Sequence, residues 1–257
     1  MELEMNTPQE NVRLLPLGDA AWTVEFGSVI DPVLHGRVQG LSDALEGARA
    51  AGRLSGVLDV VPTFRSLTVY FDPWVCDGEA LGAELLLLAR GAGSAQRSGR
   101  RWRIPVCFDG DLAPDLDDLA QAKGLSREAV IGLLTGTVFQ VYMIGFMPGF
   151  PYMGGLPAEL EMPRLSSPRK AVPARSLAVA GSMCAVYPWE SPGGWRLLGR
   201  TPVPMFSAGE EESPSLLSSG DRVSWYAIDR GQYEEMEALA EAGGLLRESL
   251  LLEEDRP

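Results

Sequence analysis

One histidine (His35), two lysines (Lys123 and Lys170) and three scattered cysteines are the whole supply of three chemically versatile residue types in a chain of 257 residues. His35 falls in the first expected helix, far in sequence from any loop cluster, and is read as a surface or boundary residue. A serine or cysteine nucleophile relying on a histidine base is therefore excluded, as is an imidazole-ligated zinc site. Neither lysine is followed by Ser or Thr, so no phosphate-cradling GxxxxGK[ST] loop exists, and no GxGxxG follows a strand. Cys76, Cys107 and Cys184 contain no CxxC pair and are odd in number, which points to buried thiols and not to a disulfide framework. Positive charge is scarce as well: 22 Lys and Arg stand against 35 Asp and Glu, a formal net charge of −13. That balance repels nucleic-acid phosphates and an anionic membrane surface alike. The longest apolar cluster, Leu85 to Ala89, is too short to cross a bilayer, and the acidic Met1-Glu-Leu-Glu-Met-Asn start has no apolar run. The expectation is a soluble cytoplasmic protein without nucleic-acid or membrane partners.

What remains is ordinary globular material, with 46% hydrophobic and 22% charged residues. Residues 12–27 read as two short strands around a Gly18-Asp19 turn. Asp31-Pro32 starts a helix to about Ala51, with Val33, Val38, Leu41 and Leu45 on one side. Two further strands, Gly56 to Val61 and Leu67 to Phe71, flank a Thr63–Ser66 turn, and a leucine-rich helix covers Glu79 to Ala89. The order strand–helix–strand–strand–helix suggests a split βαβ, ferredoxin-like arrangement over residues 1–92. The small, polar stretch at 93–101 is the expected linker. Residues 102–230 then read as a β-barrel or sandwich of many short strands. It opens with Trp102 to Phe108, an edge strand on account of Pro105. Helices follow at Pro114 and after Ser126, and a strand at Val138 to Ile144. An acidic, helical tail occupies 231–257 and is expected to present a solvated face.

The centre of the chain is Ile144 to Pro202, which holds eight Gly and nine Pro. Proline fixes φ and glycine reaches positive φ, so such a stretch traces loops of defined shape. Phe146, Phe150, Tyr152, Trp189 and Trp195 anchor it. Between Val141 and Pro202 six basic residues (Arg164, Arg169, Lys170, Arg175, Arg196, Arg200) outnumber three acids (Glu159, Glu161, Glu190) in an otherwise acidic chain. Rigid loops carrying guanidinium forks and aromatic faces suit a small anionic or amide-bearing molecule. The candidate substrate-binding residues are Phe150, Arg164, Arg169, Tyr187, Ser191, Gly193, Gly194, Trp195 and Arg200. A second reading stays open, in which the arginines cap carbonyls and pair with Glu159, Glu161 and Glu190. No complete catalytic constellation and no metal-ligand set appears, which fits a protein that supplies part of a site.

The segments Ile144-Gly-Phe-Met-Pro-Gly-Phe-Pro-Tyr-Met-Gly-Gly-Leu, Pro163-Arg164, Pro168-Arg169 and Ser191-Pro-Gly-Gly-Trp…Gly199-Arg-Thr-Pro resemble the allophanate hydrolase subunit 1 family. That family includes the B component of bacterial 5-oxoprolinase and the Kip-type inhibitor of a sporulation histidine kinase. Leu15-Pro-Leu-Gly-Asp-Ala, Val61-Pro-Thr-Phe-Arg-Ser-Leu and Ile104-Pro-Val-Cys-Phe-Asp-Gly extend the likeness over most of the chain. The resemblance implies an α+β protein with an N-terminal ferredoxin-like α/β domain and a C-terminal cyclophilin-like β-barrel. It implies a role as the B component of an ATP-dependent 5-oxoprolinase, which opens a lactam to glutamate. The partners implied are a C-type and an A-type component, with ATP acting through the complex. Kinase inhibition and an allophanate or urea-amide role are its alternatives. Three departures stand out. Leu134 replaces a family histidine and Arg175 a family glycine. Gly181-Ser-Met-Cys-Ala-Val-Tyr-Pro replaces Gly-Gly-Gln-Thr-Gly-Ile-Tyr-Pro, which is expected to remove an amide and a hydroxyl from the ligand side.

Overall fold

In the computed structural model, residues 12–93, 99–210 and 213–252 are described. The chain divides into two compact units, Met1–Arg97 and Ser98–Pro257. Most of the expected linker, residues 94–98, lies outside the described residues.

In the N-terminal unit, β1 (Arg13–Pro16) and β2 (Ala21–Glu25) form a hairpin whose Gly18 has φ 63°. Helix α1 (Pro32–Ala50) begins where Asp31 accepts from the Val33 and Leu34 amides and Pro32 presets φ. β3 (Val57–Pro62), β4 (Ser66–Phe71) and α2 (Gly78–Gly91) follow. The sheet order is β1-β2-β4-β3 with every neighbouring pair antiparallel, so β2 and β3 run parallel with β4 between them. Leu34, Val38, Leu41, Leu45 and Ala48 bury one stripe of α1 against Val24, Leu67, Val69 and Phe71 of the sheet. Val38, Leu41 and Leu45 of the expected stripe are buried, while Val33 is exposed and its neighbour Leu34 takes the place at the helix start. His35 is buried at 1% exposure, not on the surface as expected. Packing of α1 excludes water from the imidazole, and that burial lowers its pKa.

The C-terminal unit is built on a closed seven-stranded barrel. Its strands are β5 (Arg101–Cys107), β6 (Val138–Ile144), β7 (Pro151–Gly154), β9 (Ser176–Ala180), β10 (Met183–Val186), β12 (Arg196–Arg200) and β13 (Arg222–Ile228). They close in the order β10-β7-β6-β13-β5-β12-β9. β5 lies parallel to β13 and is not an edge strand. Pro105 is tolerated there because β5 registers with β12 only at Cys107–Arg200. Two short helices, α3 (Leu116–Lys123) and α4 (Arg127–Thr135), pack on the barrel, α4 capped by Ser126. Asp221 fastens the barrel's start to its last turn: its carboxylate accepts from Arg100 N, Trp102 Nε1 and Ser218 N at 2.8–2.9 Å.

A two-stranded ribbon, β8 (Arg169–Val172) with β11 (Ser191–Gly193), stands apart from the barrel ladder. After β13, helix α5 (Arg230–Glu241) opens with an Asp229/Gln232 capping box and buries Tyr233 against Cys107, Leu112 and Ile228. Beyond α5 the tail expected to be helical forms only a 3-10 turn at Arg247–Leu250, and Leu250 and Leu251 join the barrel core in place of a solvated face. Gly243-Gly244 stops α5, and burial of the two leucines fixes the return path. The three cysteines are free. Among the described residues no helix is long and apolar enough to cross a membrane.

Candidate functional site

Alternation along three barrel strands builds the floor of the site. Leu177 and Val179, Cys184 and Val186, and Leu198 point into the barrel core. Their neighbours Ala178 and Ala180, Ala185, and Leu197 point outward into a second cluster. The register aligns Ala178 with both Ala185 and Leu197, and Ala180 with Met183. Small side chains at these places let large rings lie close to the outer wall.

Those rings are Phe150, Tyr152, Tyr187 and Trp195. Phe150 is the hub, with centroids 4.8 Å from Tyr152, 5.1 Å from Tyr187 and 6.0 Å from Trp195. The pairs with Tyr187 and Trp195 are edge-on, and aromatic pairs of this kind add about 0.5–1.5 kcal/mol each beyond the area they bury. The 145–150 loop, closed by Gly145 N donating to Phe150 O at 3.1 Å, sets Phe146 edge-on to Phe150 at 5.5 Å. Phe146 is exposed and has φ 69°, a left-handed conformation costly for a bulky residue. On the ribbon side Gly193 is required, since a Cβ there would collide with the Tyr187 ring and its Oη. Gly194 O accepts the Leu165 amide at 2.7 Å, which ties the Arg164 loop to the Trp195 turn.

The arginines sort into different roles. Arg169 Nη2 pairs with Asp115 Oδ1 at 2.5 Å, while Nη1 reaches Trp195 O at 3.4 Å. Arg175 donates to Pro202 O at 3.1 Å and to Glu237 Oε1. Arg196 registers with Val179 and so points to the barrel-core side, its Nε closed to solvent without a protein partner among the described residues. Arg164 is exposed and lies over the Trp195 ring, 5.8 Å from its centroid, with no hydrogen bond or ion pair among the described residues. The expected glutamate partners Glu159, Glu161 and Glu190 take no part; the acids used are Asp115 and Glu237.

Of the residues expected from sequence, Phe150, Arg164, Arg169, Tyr187, Gly193, Gly194 and Trp195 meet around this wall. Ser191 joins them: it registers with the cluster residue Val172, so its side chain shares that face, and its Oγ is buried without a partner among the described residues. Arg200 does not. It stands at the far end of β12, where its Nε donates to Ala174 O at 2.8 Å and its charge acts on Asp111 and Tyr233. A five-residue strand separates the two ends by roughly 13 Å. In sequence Asp115 signals only the start of a helix, yet it organises Arg169 and β12. The three alanines do leave a legible period-two signal in Leu177-Ala-Val-Ala.

The altered segment also takes its place. Cys184 faces the barrel interior, so a hydroxyl there would not serve a ligand on the outer wall; burial pushes its thiol pKa up. Met183 does border the ring cluster. Arg175 has φ 67°, which explains the glycine usual at that position.

Electrostatically the wall offers neutral donors beside the exposed Arg164 guanidinium. Burial raises the pKa of Tyr152 and Tyr187; the nearby Arg164 charge pulls both the other way. Both remain phenols near neutral pH, able to donate hydrogen bonds and unsuited to act as bases. Among the described residues no group of three His, Cys, Asp or Glu could hold a metal ion.

Known proteins resemble this chain in sequence and fold. The family model for the carboxyltransferase domain, subdomains C and D, matches residues 12–217. The chain is 36% identical over 228 residues to the B component of 5-oxoprolinase from Bacillus subtilis, a match covering 84% of this chain and 93% of that one. The crystal structure of TTHA0988 superposes with a TM-score of 0.70 at 36% identity, covering 81% of this chain and 40% of that protein. The chain thus spans two fifths of that protein's length. The urea amidolyase of Kluyveromyces lactis shares the fold, with a TM-score of 0.79 at 20% identity over 91% of this chain and 16% of the other.

Proposed function

The chain belongs to the carboxyltransferase-domain family of subdomains C and D, and on that premise we propose that it is the B component of a 5-oxoprolinase, contributing one wall of the site that opens 5-oxoproline to glutamate. The observation that carries the reading is the likeness to a curated B component along nearly that protein's full length. The outer-wall cluster supports it: a flat five-membered lactam suits a surface of ring faces, neutral phenols and one open guanidinium.

The rest of the reaction belongs to other chains in this reading. The cluster contains no carboxylate among the described residues apart from Asp115, which Arg169 holds, and its tyrosines stay protonated. A C-type component, and a third of the A type, would add the base and the ATP chemistry; this chain alone would be inactive. In fold terms we read the N-terminal unit as ferredoxin-like, with β1 taking the outer edge beside β2, and the barrel as cyclophilin-like. A cytoplasmic location belongs to the same proposal.

Affinity purification of the tagged chain from its native host tests the assignment. A sister component of the same enzyme is the expected partner. A sensor histidine kinase in its place would replace this reading with kinase inhibition.

A further inference from the structure

We propose that Arg164 reads the carboxylate of the lactam, so that this chain sets the preference for an anionic ring over a neutral one. The inference rests on the reading of the chain as the B component and assigns a specificity residue within it.

Three observations converge. First, three of the other loop guanidinium groups are committed by hydrogen bonds, and the fourth, Arg196, faces away from the cluster. Arg169 is held by Asp115 and the Trp195 carbonyl, Arg175 by Glu237 and the Pro202 carbonyl, and Arg200 by the Ala174 carbonyl at the far end of β12. Arg196 points to the barrel-core side. Arg164 alone among them lies over a ring of the cluster with its donors unengaged among the described residues.

Second, its position is held. Leu165 N donates to Gly194 O at 2.7 Å, one residue from Trp195, so the backbone keeps the guanidinium over the indole. Stacking on a ring face leaves the planar fork of N–H donors free along its edge, the geometry that a carboxylate accepts with two oxygens. Third, the Arg164 charge reaches both Tyr152 and Tyr187, the two phenols of the cluster, so an anion at Arg164 would sit beside them. Ser191 Oγ, buried on the same face with no partner among the described residues, offers a further hydrogen bond at this wall.

The test is a titration of the ¹⁵N-labelled chain with 5-oxoproline and with 2-pyrrolidinone, which is the same ring without the carboxylate. The indole N–H signal of Trp195, assigned with the Trp195→Phe variant, is the readout. The expected result is an apparent affinity for 5-oxoproline at least about tenfold above that for 2-pyrrolidinone. Arg164→Gln should abolish this preference at an unchanged melting temperature, and Arg164→Lys should restore part of it. No preference in the wild-type chain, or a preference that survives Arg164→Gln, overturns the assignment. Turnover by the reconstituted complex, measured alongside, separates the two layers. Turnover without an Arg164-dependent preference removes this inference alone. A preference without turnover removes the 5-oxoprolinase reading and leaves a carboxylate site standing.

Discussion

Asp115 and Arg169 meet at 2.5 Å across 54 residues of sequence, and the other oxygen of the same carboxylate accepts the Leu197 amide at 2.6 Å. Asp115 N also donates to Leu197 O at 3.0 Å. One aspartate at the head of α3 thus holds both the ribbon strand β8 and the start of β12, the two supports of Trp195. Its side chain is 5% exposed and that of Arg169 is 28% exposed. Removing the carboxylate strands a guanidinium and a buried amide together. Asp115→Ala should cost about 3 kcal/mol in urea unfolding. Asp115→Asn keeps an acceptor for Leu197 and should cost less. A loss below about 0.5 kcal/mol for the alanine variant would show that the clasp does not support the wall.

Gly193 is the narrowest point of the site. Gly193→Ala places a methyl against the Tyr187 ring and hydroxyl, atoms that β10 and the Phe150 contact hold in place. The variant should lose about 1–3 kcal/mol of stability and shift the Tyr187 ring signals. A variant as stable as wild type with unmoved Tyr187 signals would contradict the close packing described.

Arg175 combines a costly backbone with a useful side chain. Its φ of 67° favours glycine, yet its guanidinium fastens α5 through Glu237, which also accepts from Tyr233 Oη at 2.8 Å. Arg175→Ala loses the tether and keeps the strain; Arg175→Gly loses the tether and relieves the strain. The glycine variant should be about 1 kcal/mol more stable than the alanine variant in thermal or denaturant unfolding. Equal stabilities would mean that the left-handed turn carries no strain.

The N-terminal unit is readable because its signals are local: an Asp-Pro cap, a glycine turn and a helical stripe. Even there the helix start is misread, since the pattern places Val33 inside and His35 outside. Two adjacent positions near a helix start differ by about 100° in direction, and cap residues alone do not fix which side packs. The barrel is less legible. Pro105 reads as an edge marker, yet β5 is enclosed, because the parallel pairing to β13 comes from a strand far later in the chain. The loops rich in Gly, Pro and aromatics are legible as one cluster, but the division of labour among their arginines is not. Arg164 and Arg200 look alike in sequence. Only the fold puts one over Trp195 and the other at the opposite strand end.

His35 gives a pH dependence. Burial lowers its folded pKa below the usual value near 6.5, so the unfolded chain takes up the proton first as pH falls. The stability this neutral imidazole contributes is fully present above about pH 6.5 and declines as pH drops towards the folded pKa. Urea unfolding from mildly alkaline to mildly acid pH should show that decline, and His35→Gln should flatten it. An identical slope in the variant would remove His35 as its source.

The most direct measurement of the central claim is glutamate release from 5-oxoproline and ATP by the purified chain mixed with the proposed C-type and A-type components, run with each component left out in turn. The account predicts glutamate from the full mixture and none when this chain, or ATP, is omitted. No glutamate from the full mixture, or undiminished release without this chain, would contradict it.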